Sequence, residues 1–259
     1  MTLENKPAEI IESGWKSLCL LGGIAPLIAL IFFRRNMAAE YGGLHMLGFF
    51  PSAPGSLPAD ALGCFTVLHE HRLIGLTLLN IFDSVNYVLV ALMFLGLYAA
   101  LRRVSPGLMT LATGLALMGT SIYLASNQAF AMLALSGRYW SASTDAQRAM
   151  MLAAGEALLA IQNTAAMYGP SPFAAFLFIN VAGLIAAFVM LRAGAFGKTA
   201  GYLGIASNSL NYGICISVWL APPLAIITAS LAAIFRVLWY IRISTTLLHL
   251  GRQSTKRGA

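Results

Sequence analysis

Charge is what this chain has least of. Among its 259 residues only nine are Asp or Glu, and charged residues of both signs make up 10%. A soluble domain carries roughly 25%, because something must face water. A chain so poor in charge cannot cover a water-facing surface, so most of its surface must face lipid. The shortage of acids leaves a net charge of +7. The basic residues nevertheless form no nucleic-acid patch, since they sit at the ends of apolar runs, as residues flanking membrane spans do. Nucleic acid is therefore not an expected partner. Cysteine is equally scarce: Cys19, Cys64 and Cys215 are too few and too scattered for a disulfide framework or a zinc site. The four histidines, His45, His69, His71 and His249, all lie outside the apolar runs, so no facing helices can hold a haem between two axial imidazoles. There is no phosphate-binding loop, no GxGxxG and no GxSxG, which leaves nucleotide-driven transport by this chain alone and hydrolase chemistry of that type without support. No cofactor is expected.

What the chain has in abundance is apolar residues, 59% of the total, with a mean hydropathy of +0.77. They gather into six runs, at 17–33, 73–101, 108–135, 173–191, 201–220 and 224–241, near or above the 18 residues that mark a membrane span. Backbone groups cannot go unpaired in hydrocarbon, so the runs must be helices. Their apolar character is continuous rather than alternating, which argues against a β-barrel. The expected fold is an all-α integral membrane protein, one domain over 1–259 with six transmembrane helices and one amphipathic surface helix. The first run is followed by Arg34-Arg35 rather than a cleavage site and preceded by Glu4, Glu9 and Glu12, so it reads as an uncleaved anchor. Basic residues at Arg102, Arg103, Arg192, Lys198, Arg252, Lys256 and Arg257 then place both termini in the cytoplasm. Arg34 and Arg35 run against that orientation.

Two segments outside the spans are substantial. Residues 36–72 contain GFFPSAPGSLPAD and read as an irregular outer loop. Residues 144–168 read as an outer surface helix, with Thr144 and Gln147 at capping-box spacing.

The stretches LLNIFDSVNYVLVALMFLGLYAALRRVS, YLASNQAFAMLALSGRYWSASTDAQRAMMLAAGEALLA and FVMLRAGAFGKTAGYLGIASN resemble an uncharacterised family of small bacterial multi-pass membrane proteins, catalogued as a domain of unknown function. The resemblance covers roughly residues 70–250. It implies a bacterial cytoplasmic membrane as host and brings no substrate.

Two places carry candidate chemistry. His69-Glu70-His71-Arg72 stands before the second run, and His45 in the same loop could add a third nitrogen for a metal. The spacing is not that of HExxH, and on a helix His69 and His71 diverge, so a polar membrane rim is the plainer reading. The same outer side supplies a third reading, an enzyme using His69, His71 and Glu156. Deeper, Asp83 stands ten residues into the second run, about 15 Å along a helix and near the bilayer centre. Asn80, Asn86 and Tyr87 accompany it. Asn180, Asn208, Asn211 and Tyr212 are expected at similar depth, with Arg236 as the counter-ion. An ionisable group at that depth should face the bundle interior with a partner. The functional reading is a midplane site for a small molecule, ion or proton. Its rival is a polar cluster that only holds helices together, in a non-enzymatic subunit whose partners are lipids, a second copy or another membrane protein. Asp83-Ser84-Val85-Asn86-Tyr87 echoes Asn208-Ser209-Leu210-Asn211-Tyr212, a faint sign of an inverted repeat.

Overall fold

The computed structural model describes residues 13–41, 58–162, 170–220 and 222–252. All regular structure among them is helical. A short 3-10 turn, Ser13–Trp15, leads into α1 (Lys16–Tyr41), followed by α2 (Ala61–Glu70), α3 (Arg72–Leu78), α4 (Ile81–Leu101) and α5 (Pro106–Ser126). Then come α6 (Ala129–Ser141), α7 (Asp145–Gln162), α8 (Pro170–Arg192), α9 (Gly197–Leu220) and α10 (Pro222–Arg252). Three of these helices begin on proline, whose fixed φ suits the first helical position and whose missing N–H is not needed there. Gly197 turns the chain from α8 into α9 at φ 68°, where a side chain would be strained.

Among the described residues four helical stretches are long and apolar enough to cross a membrane: Ile81–Leu101, Pro106–Ser141, Phe173–Arg192 and Ile227–Arg252. Lys16–Ile31 is apolar but shorter. The run at 201–220 lies within α9, whose described part carries Lys198, Asn208 and Asn211 among its apolar residues.

Three expectations need correction. The run at 73–101 is not one helix, because the chain leaves helical geometry at Leu79-Asn80 and α4 begins at Ile81. The run at 108–135 is likewise interrupted at Asn127-Gln128, between α5 and α6. The outer loop is not irregular throughout. Its first residues continue α1 to Tyr41, and 61–70 form α2. The Asp60 side chain caps α2 by accepting from the Gly63 N–H at 3.2 Å.

The chain divides into two compact units. The first comprises Met1–Leu30, Val88–Thr120 and Phe176–Ala259. Its core runs through Met93, Phe94 and Leu97 of α4, Met190 of α8, and Trp239, Ile243 and Leu247 of α10. Small residues set how closely its helices approach. A Cβ on Gly22 would lie 2.6 Å from the Gly96 Cα, so α1 and α4 touch backbone to backbone. At the same level Gly23 faces Leu248 and Gly251 faces Leu20. The start of α1, the end of α4 and the end of α10 thus meet at one end of this unit.

The second unit comprises Ile31–Tyr87 and Ser121–Ala175. Here α2, α6 and α7 enclose Ala61, Cys64, Phe65, Leu68, Met132 and Leu159. Gly155 of α7 gives room for Ala61 and Phe65. The expected cap on α7 forms with one refinement. The Thr144 hydroxyl accepts from the Gln147 N–H, while the Gln147 side chain returns to the Ser143 N–H, one residue earlier.

Candidate functional site

The two interruptions in the apolar helices lie together in the second unit. Asn80 closes α3 and opens α4 at φ 60°, a left-handed conformation that Asn tolerates better than most residues. Its carbonyl accepts from the Asp83 N–H at 3.1 Å. The same carbonyl accepts from the Asn127 side-chain amide at 3.3 Å, which ties one break to the other. Asn127 also accepts from the Ala129 N–H at 3.0 Å, starting α6. Beside these turns the Tyr123 hydroxyl donates to Asp83 Oδ2 at 3.4 Å. Tyr87 and Tyr123 stack with centroids 3.9 Å apart and planes 7° from parallel. Gln128 Oε1 is buried and has no hydrogen-bond partner. Asn86 is half-buried on α4 next to Tyr87.

Asp83 therefore occupies the first turn of α4, not the middle of a continuous helix. The α4 N-terminus favours a carboxylate there, because the first backbone N–H groups of a helix are unpaired and point outward. Tyr123, Asn127 and Gln128 were not anticipated. The signal was present in YLASNQAF, where two adjacent amides interrupt an apolar run.

The other polar residues belong to the first unit. The Asn180 amide donates to the Phe176 carbonyl at 2.7 Å, and Asn208 to the Gly204 carbonyl at 2.7 Å. Asn211 donates to Asn180 Oδ1 at 2.8 Å, and the Tyr212 hydroxyl to the Leu177 carbonyl at 2.8 Å. The three asparagines are at most 4% exposed, and the Asn208 side chain fills the space left by Gly183. This is a hydrogen-bonded seam between α8 and α9. Arg236, on α10, also belongs to this first unit.

The expected metal site divides differently. His45 lies outside the described residues, and among those described no three His, Cys, Asp or Glu side chains gather as ligands would. His71 caps the end of α2, whereas the His69 ring stacks on Trp140 at 4.8 Å. Trp140 Nε1 and the Ser136 hydroxyl both donate to the Phe65 carbonyl. The Glu156 carboxylate accepts from the Ala61 N–H at 2.7 Å, so it works with Asp60 to satisfy the α2 N-terminus. Burial, with the nearby charges of Asp60 and Glu156, pushes the Cys64 thiol up to about 11.

No protein-family model, curated protein or solved structure matches this chain.

Proposed function

We propose that the chain binds a small cation at the paired helix breaks, using Asp83, Tyr87, Tyr123 and Gln128, as a six-span protein of the bacterial cytoplasmic membrane. The observation that carries this reading is the bond from Asn127 to the Asn80 carbonyl, which joins two interruptions of apolar helices beside a carboxylate. Non-helical backbone is tolerated at membrane depth only where it is buried in protein or lines a cavity. Broken helices in transporters form ion and substrate sites for that reason. The buried Gln128 oxygen is an acceptor in want of a donor, which an ammonium or a hydrated monovalent cation would supply. Both termini are assigned to the cytoplasm. The meeting of the α1 start with the α10 end in one unit supports a common side for them.

The test is thermal unfolding of the purified protein in mild detergent against monovalent cations and small protonated amines. A cation at a hundred times its Kd stabilises the bound fold by about 2.7 kcal/mol. That gain is expected in the wild type and not in Asp83→Asn or Gln128→Leu. No cation-dependent shift in the wild type, or an equal shift in Asp83→Asn, overturns the reading.

The α8–α9 seam favours a second reading, a structural membrane subunit whose polar residues only join helices. Its asparagine amides are bonded to helix carbonyls and to one another, as interhelical amides in membranes often are. Under this reading Asn211→Leu lowers stability and no cation response exists to lose.

A further inference from the structure

We propose, resting on the cation site inferred above, that its ligand is a protonated primary amine rather than a metal ion. Asp83, Gln128 and the paired rings of Tyr87 and Tyr123 would hold it. Where a membrane helix breaks, unwound backbone carbonyls are the usual ligands of a metal ion. Here the carbonyls at the two breaks are already in use. The Asn80 carbonyl accepts from the Asp83 N–H at 3.1 Å and from the Asn127 side-chain amide at 3.3 Å. At the other break the Tyr123 carbonyl accepts from the Asn127 N–H at 3.0 Å and from the Ser126 hydroxyl at 3.1 Å. A carbonyl oxygen has two lone pairs, so both of these oxygens are fully engaged. The Asn127 side-chain oxygen is likewise turned to the Ala129 N–H.

Acceptor capacity lies instead on side chains. Gln128 Oε1 is buried without a hydrogen-bond partner, and Gln128 is next in the chain to the Asn127 whose amide reaches Asn80. A carboxylate offers about four lone-pair sites. Asp83 can therefore take an N–H beside its 3.4 Å bond from the Tyr123 hydroxyl. Calcium and magnesium surround themselves with about six or more oxygens, and potassium exchanges its water for rings of carbonyls. An ammonium group has three N–H donors and is satisfied by a few acceptors and a π face. Its alkyl end needs an apolar wall. The Tyr87 and Tyr123 rings, stacked 3.9 Å apart and within 7° of parallel, supply that wall. Aromatic rings also attract the ammonium charge itself.

The experiment is thermal unfolding of the full chain in mild detergent, titrated with methylammonium, tetramethylammonium and potassium chlorides at equal chloride concentration. Methylammonium should raise the melting temperature at several-fold lower concentration than potassium. Tetramethylammonium carries the charge but no N–H for Gln128, so it should bind about fivefold more weakly than methylammonium. Tyr87→Leu should weaken methylammonium by about fivefold, whereas Tyr87→Phe, which keeps the ring, should retain it. The comparison of the three salts uses the wild type and decides the matter even if Tyr87→Leu fails to fold. Potassium as effective as methylammonium overturns the amine assignment and leaves the cation site standing. Tetramethylammonium as effective as methylammonium, or an unchanged response in a folded Tyr87→Leu, overturns the assignment too. No response to any of the three salts overturns the amine and the cation site together.

Discussion

Asn80 shows how one residue can redirect an apolar run. Its φ of 60° is a conformation that disfavours a β-branched side chain by about 1–2 kcal/mol, while glycine adopts it freely. Asn80→Val should lower thermal stability by that amount, and Asn80→Gly should change it by at most about 1 kcal/mol. Similar melting of the two variants would mean that the turn is not fixed by its backbone. Cys64 offers a test by pH. Burial and its two acidic neighbours raise the folded-state pKa from 9.0 to about 11, so the thiol stays neutral where an unfolded cysteine would ionise. The stability linked to this group is complete below pH 9 and is lost as pH rises through about 11. Alkylation of Cys64, followed by peptide mass spectrometry, should therefore stay slow at pH 8 and accelerate towards pH 11. A rate already levelling off near pH 9 would contradict the buried, acid-flanked thiol.

Among the helices, glycine position decides the sign of a substitution. Gly96→Ala would set a Cβ 2.8 Å from the Gly22 Cα and 3.0 Å from the Leu18 carbonyl, and neither backbone atom can turn away. Overpacking of this kind costs about 1–3 kcal/mol. Gly114, inside α5, has nothing within 4 Å of its would-be Cβ, so Gly114→Ala should stabilise by about 0.5–1 kcal/mol. Melting the pair in detergent checks both signs at once. The same scale shows what could be read in advance. Long apolar runs announce helices because hydrocarbon leaves the backbone no alternative, and Thr144 with Gln147 announced the start of α7. The breaks at Leu79-Asn80 and Asn127-Gln128 were hidden, since a few amides inside an apolar run also suit an unbroken helix. Nor was α2 anticipated. Its Pro- and Gly-rich approach masked the signal of Asp60 standing before ALGCFTVL, and the Glu156 that completes its cap comes from 95 residues away. The Asn180–Asn211 bond was within reach as a grouping of asparagines, but which carbonyls each would take depended on register between α8 and α9.

At the scale of the whole molecule, the orientation proposed above can be read chemically. A cysteine at position 148, on α7, should react with an impermeant maleimide in intact cells, whereas one at position 256 should not. The reverse pattern would invert the topology. The contacts between distant segments also carry a consequence in time. Translation runs at roughly 5–20 residues per second, so the Ala61 N–H must wait about 5–20 s before Glu156 exists to accept it. The wait is longer where Leu20 of α1 packs against Gly251 of α10. Until α10 is made, that face of α1 has no Gly251 to pack against. Assembly of the first unit is thus tied to the completion of its last helix rather than to the formation of its first.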